Sequence, residues 1–351
     1  MISTRRARRL LVPTLTLAAL LGGSLAAPVA AEAPTASATT ASSAPARRLD
    51  GTHVVAISID GLNPRALNRL GRAGTPYLHQ LLDQGAGTLN ARAQLEMTIT
   101  LPNHTSMVTG RRINAAKGGH GVTWNDDSVT RTVRQAAGHD VSSVFRVVHD
   151  NGGTTGVYAT KSKFQLFKRS WRTAVDTNVI AVEKNAAVVR ALRSDLATSP
   201  RTFSFLHLGK PDQMGHKYGW LSPTYLRAVS TVDRLVGSIM NQIRNTPALK
   251  RSTVIVLTSD HGGVPGTTQH ADAKNREDYR VPFVIWGAGV RHASLYAINP
   301  TRADPGRGRP GFSARRQPVR NGDLANLSLS LLSLGPVPGS LWDRRQDLTW
   351  R

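Results

Sequence analysis

His53-Val54-Val55-Ala56-Ile57-Ser58-Ile59, followed at once by Asp60-Gly61, is the stretch on which the reading of the fold turns. The run is apolar at nearly every position, so both of its faces have to be covered. That is the pattern of a central strand in a parallel sheet. Similar runs occur at Thr155 to Ala159, Phe203 to Leu208, Thr253 to Thr258 and Val281 to Trp286. Helix-like stretches lie between them, near 64–84, 103–109, 181–198, 223–245 and 322–333. Such alternation predicts an α/β fold: a mostly parallel central sheet with helices on both faces. The segment 291–320, rich in Arg, Pro and Gly, reads as a long irregular loop.

Sheets of this kind bind ligands at the carboxyl ends of their strands. Working outward from Asp60, the polar residues gather there. Lys210-Pro211-Asp212-Gln213-Met214-Gly215-His216 follows the strand at 203–208. Thr258-Ser259-Asp260-His261-Gly262-Gly263 ends the strand at 253–258, and Gln269-His270 lies in the loop before Val281. Thr98-Ile99-Thr100-Leu101-Pro102-Asn103-His104 leads into a short helix. Each piece alone carries little: a strand-end Asp often caps the next helix, and Asp212 with His216 fits a capped turn. Together, three carboxylates, three His and one Thr supply oxygen and nitrogen ligands for two divalent ions. A Thr hydroxyl is a poor nucleophile until a dication makes its alkoxide accessible. Pro102 suits a first helical turn, which sets Thr100 at the positive end of a helix dipole.

The chain contains no Cys, which excludes disulfides and thiolate chemistry. A metal held by His and carboxylates is then zinc or manganese rather than a soft thiolate-bound ion. Hydrophobic residues make up 40% of the 351, enough for a substantial core. The formal net charge of +23 favours anions: a phosphorylated small molecule, a phosphodiester, or anionic envelope polymers. The basic residues are spread out and not interleaved with aromatics, so no specific nucleic-acid recognition is predicted.

Residues 1–31 read as a signal peptide: Arg5, Arg6, Arg8 and Arg9, an apolar stretch, then Val29-Ala30-Ala31 as a cleavage site. Residues 32–50, mostly Ala, Ser, Thr and Pro at the start, read as a flexible linker. Residues 51–351 then form the catalytic domain, exported by the general or the twin-arginine route.

The motifs, in this order, resemble the alkaline phosphatase superfamily, in particular its type I phosphodiesterase/nucleotide pyrophosphatase branch. The resemblance implies an alkaline phosphatase-like fold and a two-metal hydrolase of phosphoric esters. It implies that Asp60, Thr100, Asp260 and His261 hold one ion, and that Asp212, His216 and His270 hold the other. Thr100 matches the family's nucleophile. Asn125, in His120-Gly121-Val122-Thr123-Trp124-Asn125, matches an Asn that donates to a phosphoryl oxygen beside the backbone N–H following the nucleophile.

Some residues depart from the family's pattern. His270 is followed by Ala271, where the family usually has Gly. Leu101 and Thr105 stand where nucleotide-hydrolysing members often carry aromatic residues, which leaves Trp124, Tyr158 and Phe164 as candidate pocket walls. Thr at position 100, in a chain without Cys, argues against formylglycine sulfatase chemistry. Phosphomonoesterase or phosphonate hydrolase activity on the same scaffold stays open, with Lys161 and Lys163 as supports for the phosphoryl charge. A binding protein for polyanions with a dead site is the alternative from another class.

Overall fold

The computed structural model describes residues 49–341 and 348–351. The expected signal peptide, and all but residues 49 and 50 of the expected linker, lie outside them. Eight strands are present among the described residues: β1 (His53–Ile59), β2 (Ala86–Arg92), β3 (Thr155–Ala159), β4 (Thr177–Ile180), β5 (Phe203–Leu208), β6 (Thr253–Thr258), β7 (Arg280–Gly287) and β8 (Ala293–Ser294). They form one sheet in the order β4-β3-β5-β1-β6-β7-β2-β8. β4, β3, β5, β1 and β6 pair in parallel. β7 pairs antiparallel with both β6 and β2, so it alone among these strands runs the other way.

The central strands are mostly apolar because each face buries its own core. Val54 and Ala56 of β1 join Val157, Phe203, Phe205, Val254 and Val256 on one face. Val55, Ile57 and Ile59 join Leu206, Leu208, Ile255 and Leu257 on the other. Helices Thr100–Thr109 and Asp323–Leu331 cover the first face; Pro64–Gly74, Asn185–Thr198 and Pro223–Asn245 cover the second. Each fully buried Val, Leu or Ile contributes about 1.5–3 kcal/mol, so both helical layers are held firmly.

The expected helix over 64–84 is two, Pro64–Gly74 and Pro76–Gln84. Pro76 has no N–H to continue the first and sits comfortably in the first turn of the second. The segment around Asp212 and His216 is a helix, Lys210–Tyr218, and not a capped turn. Within 291–320 the chain is mostly irregular, with the short strand β8 and a helix at Leu295–Ile298. No helix among the described residues is long and apolar enough to cross a membrane.

Candidate metal centre

The carboxyl edge of the sheet collects the polar residues for topological reasons. Asp60 is the first residue after β1. Gly61 then turns with φ +68, and a Cβ there would lie 3.0 Å from the Asp212 Cα. Only glycine lets this turn pass so near the helix Lys210–Tyr218. Asp212 and His216 are one turn apart on that helix and share a face. Asp260 and His261 follow β6. Because β7 returns antiparallel, the whole 259–279 connection stays at the same edge, which is how His270 reaches the centre. Thr100 opens the helix Thr100–Thr109. Its lead-in is tied to the same loop: Thr98 Oγ1 donates to the His270 carbonyl at 2.6 Å.

The carboxylates share one feature. Asp60 Oδ2 accepts from Lys161 Nζ at 2.5 Å and from His207 Nε2 at 2.8 Å. Asp212 Oδ2 accepts from the same Nζ at 2.7 Å. Asp260 Oδ1 accepts from the Gly61 N–H at 3.1 Å. The remaining oxygens, Asp60 Oδ1, Asp212 Oδ1 and Asp260 Oδ2, are buried with no hydrogen-bond partner. They surround His261 Nε2 at 3.6, 3.9 and 3.1 Å respectively. Buried anionic oxygens without partners are costly, and a cation placed among them removes the cost.

The imidazoles are prepared in the same sense. Nδ1 of His270 lies 2.7 Å from the Thr98 carbonyl, Nδ1 of His261 2.9 Å from that of Gly262, and Nδ1 of His216 3.2 Å from that of Thr268. A carbonyl only accepts, so these contacts assign the hydrogen to Nδ1 and leave Nε2 to the centre. Metal-binding histidines are held in this way, with the far ring nitrogen donating to a carbonyl so that the other faces the ion. His270 Nε2 and His216 Nε2 face each other at 3.1 Å, and His261 stacks on His270 at 3.7 Å. Ligand atoms of Asp212, His216 and His270 lie within 4.8 Å of one another, as do those of Asp60, Asp212 and His261. Asp212 thus stands in both clusters, where the resemblance implied it for one ion only. Thr100 Oγ1 is 3.5 Å from His261 Nε2.

The electrostatics match a site short of positive charge. Burial pulls against the proton on His261, but Asp260, Asp60 and Asp212 outweigh it and push its pKa up to about 10. Burial works to raise Asp60, yet Lys161, His207 and His261 hold it well below the usual carboxylate range. Burial, with His261 beside it, brings His270 down to about 4 and leaves it a neutral ligand. Three carboxylates, the Nε2 atoms of His216 and His270, that of His261 once a cation displaces its proton, and an adjacent hydroxyl fit divalent cations of the zinc or manganese type.

Several expectations change. Lys161 bonds both Asp60 and Asp212, so it is not available to hold a phosphoryl oxygen. Lys163 is half-buried; burial lowers its pKa, while Asp60 and Asp212 act in the opposite sense, so its charge still reaches the centre. Tyr158 is wholly buried, with its hydroxyl on Asp195, and Phe164 is buried against the His207 ring at 4.3 Å. Neither lines a substrate pocket. Leu101 is only 1% exposed, so the residue after Thr100 offers no surface to a base. Asn125 is exposed, and its Oδ1 accepts from the Leu101 N–H at 3.0 Å, which places the amide beside Thr100. The side chain therefore occupies the backbone donor that was expected to stand free next to it.

Buried residues that the sequence did not single out complete the frame. His207 takes N–H bonding from Thr160 on Nδ1, so its Nε2 hydrogen goes to Asp60. His104 joins the Thr100 carbonyl at 2.7 Å to Ser58 Oγ at 2.8 Å. Asn321 donates to the Asp260 carbonyl at 3.2 Å and to Asn103 Oδ1 at 3.0 Å, which locks the Thr100 helix to the β6 loop. The available signal was an ionisable residue, His207, inside the wholly buried β5.

A family model described as type I phosphodiesterase/nucleotide pyrophosphatase matches residues 54–126 and 117–282. GPI ethanolamine phosphate transferase 1 of Neurospora crassa is 26% identical over 286 residues, covering 77% of this chain and 26% of that protein. Ectonucleotide pyrophosphatase/phosphodiesterase family member 1 of Mus musculus is 25% identical over 253 residues, covering 67% and 27%. The chain spans about a quarter of the length of these curated relatives. Murine ectonucleotide pyrophosphatase/phosphodiesterase 5, solved as an inactive form in complex with AMP, matches with a TM-score of 0.63 at 16% identity, covering 85% of this chain and 99% of that one. The fold is alkaline phosphatase-like, as expected.

Proposed function

Because the chain belongs to the type I phosphodiesterase/nucleotide pyrophosphatase family, we propose that it is an exported phosphoric ester hydrolase with Thr100 as nucleophile and two divalent ions, zinc or manganese, as cofactors. Family membership supports phosphoryl transfer or hydrolysis. One observation carries the finer reading: three partnerless carboxylate oxygens surround His261 Nε2, which lies 3.5 Å from the Thr100 hydroxyl, and the Nε2 atoms of His216 and His270 meet in the neighbouring cluster with Asp212. Asp60, Asp260 and His261 would hold one ion with Thr100, and Asp212, His216 and His270 the other, with Asp212 near both. When bound, such ions lower the pKa of a coordinated hydroxyl and offset charge on the attacking and departing oxygens.

The chain's own residues do the rest. Thr100 Oγ1 gives its proton to solvent and attacks phosphorus. The P–O bond to the departing alcohol breaks, and that oxygen takes a proton from solvent. Water then cleaves the phosphothreonine, restoring the hydroxyl. The N-terminus of the helix Thr100–Thr109 favours negative charge on the phosphoryl group. Asn125, held beside Thr100 by the Leu101 N–H, would donate its amide to the same oxygens.

The similarity to an ethanolamine phosphate transferase supports a second outcome, in which an alcohol replaces water as acceptor. Residues 1–31 are proposed to direct export and to be removed, and the basic surface to contact anionic envelope polymers. The test is direct. Protein loaded with zinc or manganese should hydrolyse bis-p-nitrophenyl phosphate or p-nitrophenyl phosphate, and EDTA should stop it. Thr100→Ala should abolish turnover while metal analysis still finds about two ions per chain. Wild-type rates in Thr100→Ala would refute the assignment.

A further inference from the structure

The segment that leads to Thr100 and the chain return at 112–121 line an open surface pocket of about 370 Å³. Met97, Ile113, Ala115, Ala116, Gly121 and Thr123 form most of its wall. The return is pinned by backbone bonds from His120 N–H to the Arg112 carbonyl and from Gly121 N–H to the Ile113 carbonyl, both 2.9 Å. Glu96 fastens it to the lead-in, taking Arg112 Nε at 2.6 Å and the N–H groups of Ile113 and Asn114 at 2.7 and 3.3 Å. Both carboxylate oxygens are engaged, so the wall's one acid is neutralised by Arg112.

Two features tie this pocket to the reaction centre. Met97 precedes Thr100 by three residues, so that wall begins within about 11 Å of the nucleophile. Thr123 precedes Asn125 by two residues, about 7 Å at most, and the Asn125 side chain meets the Leu101 N–H. The lining is unusual for a chain of net charge +23: it holds no Lys, no Arg and no aromatic ring. Besides Glu96, its polar members are Asn114 and Thr123, at the exposed rim. A nucleobase would find no ring to stack on there. Methylene groups would gain from the same walls, with Met97 adapting to their shape. The volume is at the small end for ligand pockets.

Resting on the Thr100 hydrolase reading, we propose that this pocket holds an uncharged, short aliphatic alcohol arm of a phosphodiester, and so selects such diesters over nucleotides. The probes are p-nitrophenyl phosphodiesters whose second arm is methyl, ethyl, propyl or butyl, with thymidine 5′-(p-nitrophenyl phosphate) as the nucleoside arm and p-nitrophenyl phosphate as the one-armed control. In the wild type, KM should fall about three- to fourfold per added methylene, and the nucleoside diester should have a higher KM than the butyl one. Ala116→Trp, and separately the milder Ala115→Leu, should flatten the series while kcat and KM for p-nitrophenyl phosphate stay within about twofold. A flat wild-type series, a series that both variants leave intact, or a preference for the nucleoside arm overturns the proposal. Loss of p-nitrophenyl phosphate turnover in both variants overturns it too, because the walls would then belong to the catalytic frame. A wild type inert towards all these esters with either metal would refute the hydrolase reading instead.

Discussion

Lys161→Met tests whether the ammonium between the two clusters is part of the site's frame. Its Nζ lies 2.5 Å from Asp60 Oδ2 and 2.7 Å from Asp212 Oδ2. The Lys161 side chain is 16% exposed, and those of Asp60 and Asp212 are 0% and 5% exposed. Methionine keeps much of the apolar stem and removes only the charge. Each acid already has a partnerless Oδ1, so losing the shared cation leaves Asp212 without its one strong partner and Asp60 with His207. Removing one member of a buried ion pair costs about 3–5 kcal/mol. At about 2 °C per kcal/mol, the coefficient for larger domains, the metal-free melting temperature should drop by roughly 6–10 °C. Bound dications repay the missing charge, so the gap should shrink to less than half when zinc is present in excess. Thermal melts of both proteins in EDTA and in zinc measure this. Equal melting in EDTA would refute the bridging role, and an unchanged gap in zinc would refute the view that ammonium and metals serve the same oxygens.

Gly61→Ala should cost about 1–2 kcal/mol from the left-handed φ alone. It should also lower the metal content, because the new Cβ lies 3.0 Å from the Asp212 Cα; elemental analysis after dialysis reads the second effect. Asn125→Ala should reduce kcat about 10²- to 10³-fold with metal content unchanged, and loss of metal would show that Asn125 is structural. Asp233 accepts from the Leu78 N–H at 2.7 Å, while its Oδ2 has no partner, and burial pushes its pKa up to about 6. A carboxyl raised in the fold stabilises while protonated, and that advantage is lost as pH rises from the unfolded value towards and past 6. Asp233→Asn should therefore gain on the wild type by up to roughly 3 kcal/mol, mostly between about pH 4 and pH 6, at about 1.4 kcal/mol per pH unit. A pH-independent difference in denaturation midpoint would contradict it.

Central strands were readable because both faces are buried. β1, β3, β5 and β6 lie where the apolar runs predicted, residue for residue, and β7 extends its run by one residue at each end. The flanks were not. β2 reads Ala-Gly-Thr-Leu-Asn-Ala-Arg, with a half-exposed middle, and β4 is half-exposed along its length. Neither has the uninterrupted apolar pattern that marks a covered strand. The helix Lys210–Tyr218 was hidden by Gly215, a poor helix former. Gly215 is there because a Cβ would lie 2.6 Å from the Trp220 ring, and that ring closes the centre beside His216 and His270. A local signal for a turn was in fact a packing requirement.

The ligands were readable for a related reason: a carboxylate or imidazole at the end of an apolar strand is conspicuous. Lys161 was conspicuous too, but its partner was not, because a partner depends on strand order. In the sheet β3 is separated from β1 by β5. Two strand spacings of about 4.8 Å each set Lys161 roughly 10 Å from Asp60 along the sheet edge, a gap that a lysine side chain spans and most others do not. His207 rises from the intervening β5 and meets Asp60 from below. Chain order alone puts Lys161 and Asp60 a hundred residues apart, so nothing local suggests that they touch. The consequence reaches the chemistry. With Lys161 committed to Asp60 and Asp212, the positive charge that can meet a phosphoryl group is that of the dications the site would hold, of Lys163, whose charge feels both carboxylates, and of the Thr100 helix terminus, with Asn125 as a neutral donor. A singly charged diester asks less of that set than a doubly charged monoester, so kcat/KM for bis-p-nitrophenyl phosphate against p-nitrophenyl phosphate, in the wild type and in Lys163→Met, measures how far this charge set decides between them.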